Sequence, residues 1–100
     1  MRVVKIDSER IESWDDFHDI FEELFDFPDY YGRNLNAWVD CMDDVLGKSD
    51  ELLYLDFGEC YDLKKRVPGM TTLILEFCAF LNFRFVDAKR QPRLIVAMYA

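Results

Sequence analysis

The sequence has few of the residues and motifs from which catalytic or metal sites are built. Its 100 residues contain three cysteines and one histidine, and no two cysteines form a CxxC pair, which argues against a metal cluster. An odd, widely spaced set of cysteines also fits poorly with a disulfide framework and is more typical of reduced thiols in a cytoplasmic protein. Neither a GxGxxG motif nor a P-loop occurs, so nothing indicates a phosphate-binding loop.

Long apolar segments are also missing. The N-terminal segment has no apolar run of signal-peptide length, and no stretch of about 18 apolar residues could span a membrane. We therefore expect a cytoplasmic protein without a membrane partner. Apolar residues nevertheless make up 51% of the chain and aromatic residues 16%. This supply is sufficient for the core of a single domain that covers residues 1–100.

Basic residues are scarce in the first two thirds of the chain. Residues 1–62 contain 18 acids and 5 bases, whereas residues 63–100 contain 2 acids and 7 bases, and the formal net charge is −8. An acidic surface repels the phosphate backbone, which disfavours nucleic acid as a partner. The same surface attracts cationic proteins and speeds their encounter. Solubility alone is the other explanation for this acidity.

Apolar patterning predicts three strands, each separated from the next by two helices. β-branched or continuously apolar residues predict strands at 2–6, 51–57 and 93–99, and the second is expected to be covered on both faces. Apolar spacings of three and four predict helices after Ser13, at 34–46 and at 70–83, although the Thr, Ile and Phe content of 70–83 also suits a strand. A short helix is expected at 58–66. The basic segment 84–92 is expected to connect, with a short strand possible at its start. The order β-α-α-β-α-α-β predicts an α/β fold with a three-stranded parallel sheet and packed helices.

The titratable side chains form no recognisable catalytic constellation. His18 is expected to be solvated or half-buried, and it faces no serine or cysteine at a useful spacing. Asp40, Asp43 and Asp44 could be proposed as a hard-metal site, but their spacing is not that of a calcium loop. We therefore expect no enzyme activity, no metal, no cofactor and no small-molecule substrate.

The stretch FPDYYGRNLNAWVDCM (27–42) joins an aromatic loop to a partly acidic helix. Tyrosine has an apolar face and a polar tip, which is typical of recognition surfaces; the alternative for each ring is a place in the core. Gly32 is expected to let the chain turn tightly into the helix. Since guanidinium groups pair with carboxylates and stack on aromatic rings, this edge is predicted to bind a cationic protein. The predicted contact residues are Tyr30, Tyr31, Gly32, Asn34, Asn36, Asp40 and Asp43.

The same stretch resembles the barstar family, intracellular inhibitors of ribonucleases such as barnase. The family pattern P-x-Y-Y-G-x-N-L-x-A-…-D-C is matched in order and spacing by Pro28, Tyr30, Tyr31, Gly32, Asn34, Leu35, Ala37, Asp40 and Cys41. The resemblance implies a fold of three parallel strands with packed helices, and inhibition of a basic ribonuclease by covering its active site. It also implies that Tyr30 and Asp40 enter the phosphate-binding site, with the aspartate standing in for an RNA phosphate.

Several departures from the family pattern lie on the expected contact surface. Asn36 and Ala79 stand where the family has acids. Trp38 precedes Val39, so the aromatic residue lies one position earlier in the helix than in the family pattern. The basic stretch 84–93 resembles an insertion. We therefore expect an inhibitor or immunity protein directed against a basic ribonuclease or another cationic toxin. The alternative is a general interaction or regulatory module of the same fold without a nuclease partner.

Overall fold

The computed structural model describes residues 1–99 and is built around a three-stranded parallel sheet; Ala100, the last residue of the predicted domain, lies outside the described residues. The strands are β1 (Arg2–Lys5), β2 (Leu53–Glu59) and β3 (Leu94–Tyr99). They are hydrogen-bonded in the order β1-β2-β3, with both pairs parallel. The central strand is therefore the second in the chain.

Two helices follow each of the first two strands. The segment between β1 and β2 contains a 3-10 turn (Ser8–Arg10), α1 (Trp14–Phe25) and α2 (Leu35–Gly47). The segment between β2 and β3 contains α3 (Tyr61–Arg66) and α4 (Met70–Asp87). The predicted α/β class and the order β-α-α-β-α-α-β are confirmed. The helices form the crossover connections that parallel neighbouring strands need.

Side-chain caps fix where α1 and α2 begin. Ser13 Oγ accepts a hydrogen bond from the backbone N–H of Asp16 at 3.3 Å, and Asn34 Oδ1 accepts one from Ala37 at 2.8 Å. Each cap satisfies a first-turn N–H that has no partner inside the helix. The helix starts predicted after Ser13 and at residue 34 are confirmed to within one residue.

Two predictions about the elements were wrong. Burial alternates along β2: Leu53, Leu55 and Phe57 are buried, while Tyr54 and Asp56 between them are partly exposed. Only one face of the sheet is therefore fully covered, since side chains alternate across a strand. The second error concerns the start of the basic segment, because residues 84–87 continue α4 instead of forming a connection or a strand.

The core lies between the covered face of the sheet and the inner faces of the helices. Trp38 of α2 has 0% exposure, as have Phe17 and Phe21 of α1. The Trp38 ring lies 5.9 Å from that of Phe17 and 5.5 Å from that of Phe21. Because the inner face of α2 is held by these rings, the opposite side of the helix is turned to solvent.

The free cysteines lie in or beside this core. Cys60 and Cys78 are buried and Cys41 is partly exposed. Burial raises the pKa of all three thiols, and that of Cys78 to about 12. They are therefore thiols rather than thiolates at neutral pH, which is the weakly nucleophilic form.

Within residues 1–99, no group of three His, Cys, Asp or Glu side chains is arranged to hold a metal ion. Over the same residues, none of the helices combines the length and the apolarity needed to cross a bilayer.

Candidate functional site

The loop between α1 and α2 (26–34) turns its first tyrosine, Tyr30, outward and the next one, Tyr31, inward. Tyr31 is 7% exposed, its ring lies 4.8 Å from that of Phe27, and its hydroxyl is hydrogen-bonded to Nδ1 of His18. Tyr30, in contrast, is 87% exposed. The ring of Tyr31 therefore belongs to the core, and its contact with a partner stays a prediction. Tyr31 anchors the loop, and Tyr30 presents its ring to solvent.

His18 lies under this loop and is only 3% exposed, so the expectation of a solvated or half-buried histidine was wrong. Burial lowers the pKa of His18, and the positive charge of Arg33 adds to the effect, against a smaller opposite effect of the carboxylates on α1. Burial raises the pKa of the Tyr31 hydroxyl. The phenol therefore keeps its proton, and it shares a hydrogen bond with Nδ1 of a neutral imidazole.

We expect the stability of the protein to fall as the pH drops below 6.5, partly because of His18. Its pKa in the folded state is lower than 6.5, so the unfolded chain takes up the proton first, and the contribution of the neutral ring is complete above 6.5 and lost below it. A single group of this kind changes the free energy of unfolding by at most about 1.4 kcal/mol per pH unit. Urea titrations between pH 7.5 and 5.5 measure the slope.

The control for this experiment is His18→Gln, which removes the only histidine of the chain. Its unfolding free energy should depend less on pH over the same interval, although the variant is less stable at pH 7.5. Equal slopes for the wild type and the variant would show that His18 does not contribute to the acid sensitivity.

Arg33 ties the loop to α1 through three groups on one side of the helix. Its guanidinium lies 2.8 Å from Asp19 Oδ1 and 2.9 Å from Glu22 Oε1, and it donates to the carbonyl oxygen of Asp15 at 3.0 Å. These hydrogen bonds raise the pKa of Arg33 further above its usual value. Arg33 was absent from the predicted site residues, although the spacing of the acids, four and then three residues, places them on one helix face and was a usable signal.

Gly32 leaves space for the side chains of Asn34 and Ala37 at the start of α2. The left-handed residue beside it is Arg33, with φ 53°. A Cβ on Gly32 would lie 3.3 Å from Nδ2 of Asn34 and 3.4 Å from Cβ of Ala37. Asn34 Nδ2 also donates to the carbonyl oxygen of Gly32 at 3.3 Å. Both polar atoms of the Asn34 side chain therefore bind its own chain, and its contact with a partner stays a prediction.

The outer face of α2 carries the three remaining predicted residues. Asn36 is exposed, and the side chains of Asp40 and Asp43 are 76% and 32% exposed. Arg84 of α4 lies between the two carboxylates, with Nη2 2.9 Å from Asp43 Oδ2 and Nη1 3.6 Å from Asp40 Oδ1. The Asp40 carboxylate thus points to solvent, with one cation of its own chain at its edge.

A groove joins the exposed tyrosine to the acidic helix. It has a volume of about 600 Å³, and its walls include Pro28 and Tyr30 from the loop and Asp43 from α2. A flat ring and a carboxylate therefore border one open space. Arginine and lysine side chains fit such a space, because the ring can stack on the cation while the carboxylate pairs with it.

Comparison with known proteins shows which family carries this arrangement. A family model described as "Barstar (barnase inhibitor)" matches residues 1–95 of the chain. The chain belongs to the barstar family. The resemblance found in residues 27–42 is thereby confirmed, and it extends over almost the whole chain.

One curated protein that is similar to this chain is "Putative ribonuclease inhibitor YrdF" of Bacillus subtilis (strain 168). It is 48% identical to this chain over 42 residues. The match covers 42% of this chain and 46% of that protein, so the chain spans about half the length of the curated relative it matches.

As a member of the barstar family, this chain carries its unusual residues in two different environments. Trp38 and Val39 are both buried, so the shifted aromatic residue packs inside. Asn36 and Ala79, which replace acids expected from the family pattern, are both exposed. Next to Ala79, the side chain of Phe80 is 48% exposed. The departures at Asn36 and Ala79 therefore lie at the surface, whereas the shifted tryptophan lies in the core.

Proposed function

We propose that this chain inhibits a basic ribonuclease by covering the active site of the enzyme with Tyr30 and the outer face of α2. The observation that carries the proposal is the placement of Asp40: the residue that matches the key aspartate of the family motif has a side chain that is 76% exposed. Such a carboxylate is free to enter a cationic cleft, where it stands in for a phosphate group of the RNA.

The surroundings of Asp40 support a role in binding. Tyr30 supplies a large, exposed ring. Because Tyr31, His18 and Arg33 already hold the loop beneath it, little conformational entropy of the loop is lost on binding. The net charge of −8 attracts a basic enzyme. At physiological salt this attraction extends over about 8 to 10 Å, the distance at which dissolved ions screen it. Asn36 and Asp43 extend the same face of α2, and Asp43 also borders the groove beside Tyr30.

The chain's own chemistry favours binding over catalysis. The cysteine thiols have raised pKa values, and the Nδ1 of His18 is occupied by the Tyr31 hydroxyl. Neither type of group is therefore available as a nucleophile or a general base. We propose that the chain acts by steric and electrostatic occlusion, without a cofactor, and that the place of its action is the cytoplasm.

Inhibition should be stoichiometric and should weaken as salt is added. The purified chain is titrated into barnase and a panel of other small basic ribonucleases, with a fluorogenic RNA substrate as the readout. Raising NaCl from 50 to 500 mM should slow association at least about tenfold, because salt screens the long-range attraction.

Two controls accompany the salt series: the chain incubated with RNA alone, and the enzymes incubated with RNA at each salt concentration. Hydrolysis of RNA by the chain alone would replace the proposal by an enzymatic function. Failure to inhibit any ribonuclease of the panel would favour a general interaction module of the same fold.

A further inference from the structure

Arg84 is held against the acidic face of α2 by contacts on two sides. Its guanidinium pairs with Asp43 at 2.9 Å and with Asp40 at 3.6 Å, and it also lies over the ring of Phe80, 5.9 Å from the ring centroid. Phe80 and Arg84 are four residues apart on α4, which places them on the same side of that helix. The position of the cation is therefore set by its own helix as well as by the carboxylates.

The two carboxylates are not neutralised equally. Asp43 is the closer partner and the less exposed, at 32%, whereas Asp40 is 76% exposed and stands at the edge of the ion pair. The local charge of the three groups is −1, and most of it is presented by Asp40. The negative charge that the outer face of α2 offers to a partner is therefore smaller than the sequence indicates, and it is concentrated at Asp40.

We propose that Arg84 is an internal counter-ion that determines which cationic partners this surface accepts. The inference rests on the proposed function, because it concerns the same surface. A partner that places a cation near Asp43 meets the like charge of Arg84, which is unfavourable. A partner that directs its cations at Asp40 and sets a neutral, apolar or acidic surface opposite Arg84 and Phe80 avoids this repulsion. The partner that this surface favours is therefore a ribonuclease whose positive charge is concentrated opposite Asp40.

The test compares Arg84→Gln with Arg10→Gln, a matched change in charge at another exposed ion pair, that of Arg10 with Glu23 at 3.4 Å. The probe is a hexa-arginine peptide, and binding is followed by the amide chemical shifts of residues 36–43 in 20 mM salt. Arg84→Gln should bind the peptide about two- to fivefold more tightly than the wild type, as expected for removing one like charge beside the bound cation in a solvent-exposed site. Arg10→Gln should change the affinity by less than half as much.

Two further variants connect the effect to the ion pair. Asp43→Asn should weaken binding more in the Arg84→Gln background, where the Asp43 carboxylate is unpaired and can bind the peptide, than in the wild-type background, where it is paired with Arg84, so the two changes should be non-additive. Thermal unfolding of each variant establishes that the fold is retained. An affinity gain that is equal for Arg84→Gln and Arg10→Gln, or a loss of affinity for Arg84→Gln, overturns the inference.

The same variants are then titrated into the ribonuclease panel, which separates this inference from the proposed function. If the peptide responds as expected while no ribonuclease is inhibited, Arg84 acts as an internal counter-ion and the proposed function is wrong. If a ribonuclease is inhibited but Arg84→Gln changes the inhibition of every enzyme of the panel by no more than Arg10→Gln does, the proposed function stands and the selective role of Arg84 is rejected.

Discussion

Replacing Asp40 by alanine should remove inhibition while leaving the fold intact. In the proposed complex the carboxylate is desolvated among cations of the enzyme, and removing one member of such a buried pair costs about 3–5 kcal/mol, or roughly two to four powers of ten in the dissociation constant. In the free protein the same side chain is 76% exposed and its pairing with Arg84 at 3.6 Å is at the surface. A pair of this kind contributes about 0–1 kcal/mol to folding.

The measurements are the inhibition constant and the midpoint of thermal unfolding of the same preparations. The matched control is Asp62→Ala, which removes an equal charge from an exposed position on α3, a helix that carries none of the candidate residues. Only Asp40→Ala should lose inhibition beyond the small change that net charge causes. Equal, small losses for both variants would mean that general acidity, and not this carboxylate, attracts the enzyme.

The opposite face of the same helix should show the opposite behaviour. Trp38 has no exposure and lies against the rings of Phe17 and Phe21. Truncation of a buried tryptophan to alanine costs about 3–5 kcal/mol, because burial is lost and a cavity remains. A domain of this size has a total stability of about 5–15 kcal/mol. Trp38→Ala should therefore lower the unfolding midpoint by at least about 10 °C.

Trp38→Phe provides a graded comparison. Among residues 1–99, no acceptor lies within hydrogen-bond reach of the indole Nε1, which is buried. Phenylalanine removes this unpaired donor along with some apolar surface, so part of the packing loss is offset. Denaturant titrations of both variants at pH 7.5 test the order. A Trp38→Phe variant that is as unstable as Trp38→Ala would contradict the role assigned to the unpaired N–H.

Taken together, the two substitutions separate recognition from folding along a single helix. Asp40 and Trp38 are two residues apart on α2, and a step of two residues turns a helix by about 200°. One side chain therefore faces solvent while the other faces the core. If Asp40→Ala lowered the unfolding midpoint as strongly as Trp38→Ala, the outer face of α2 would be a structural element and not a free binding surface.

Much of the fold was predictable because local signals agreed with the tertiary arrangement. The N-caps at Ser13 and Asn34 mark helix starts through hydrogen bonds that span only three residues, and apolar spacing identified the inner face of α2. The open face of the sheet was missed although β2 carries a signal for it. In LYLDF the buried Leu53, Leu55 and Phe57 alternate with Tyr54 and Asp56, which are on the less covered side, and such alternation is typical of a strand covered on one face.

The candidate site divides in the same way. The predicted contact residues of the stretch 27–42 include Tyr30, Asn36 and Asp40, and all three are exposed. The motif could not distinguish Tyr30 from Tyr31, since adjacent tyrosines in a loop have no periodicity that assigns one to the core. The burial of Tyr31 depends on Phe27 and on His18, a residue 13 positions away on another element.

The sequence by itself determined the family, the order of the elements and the acidic character of the surface, because each of these depends on residue types and short spacings. Only the tertiary structure decided how much of that acidity reaches a partner. Arg84 lies more than 40 residues beyond Asp40 and Asp43, and it meets them because α4 packs beside α2. Ion pairs of this kind are set by the distance between helices in space, which no local pattern along the chain encodes.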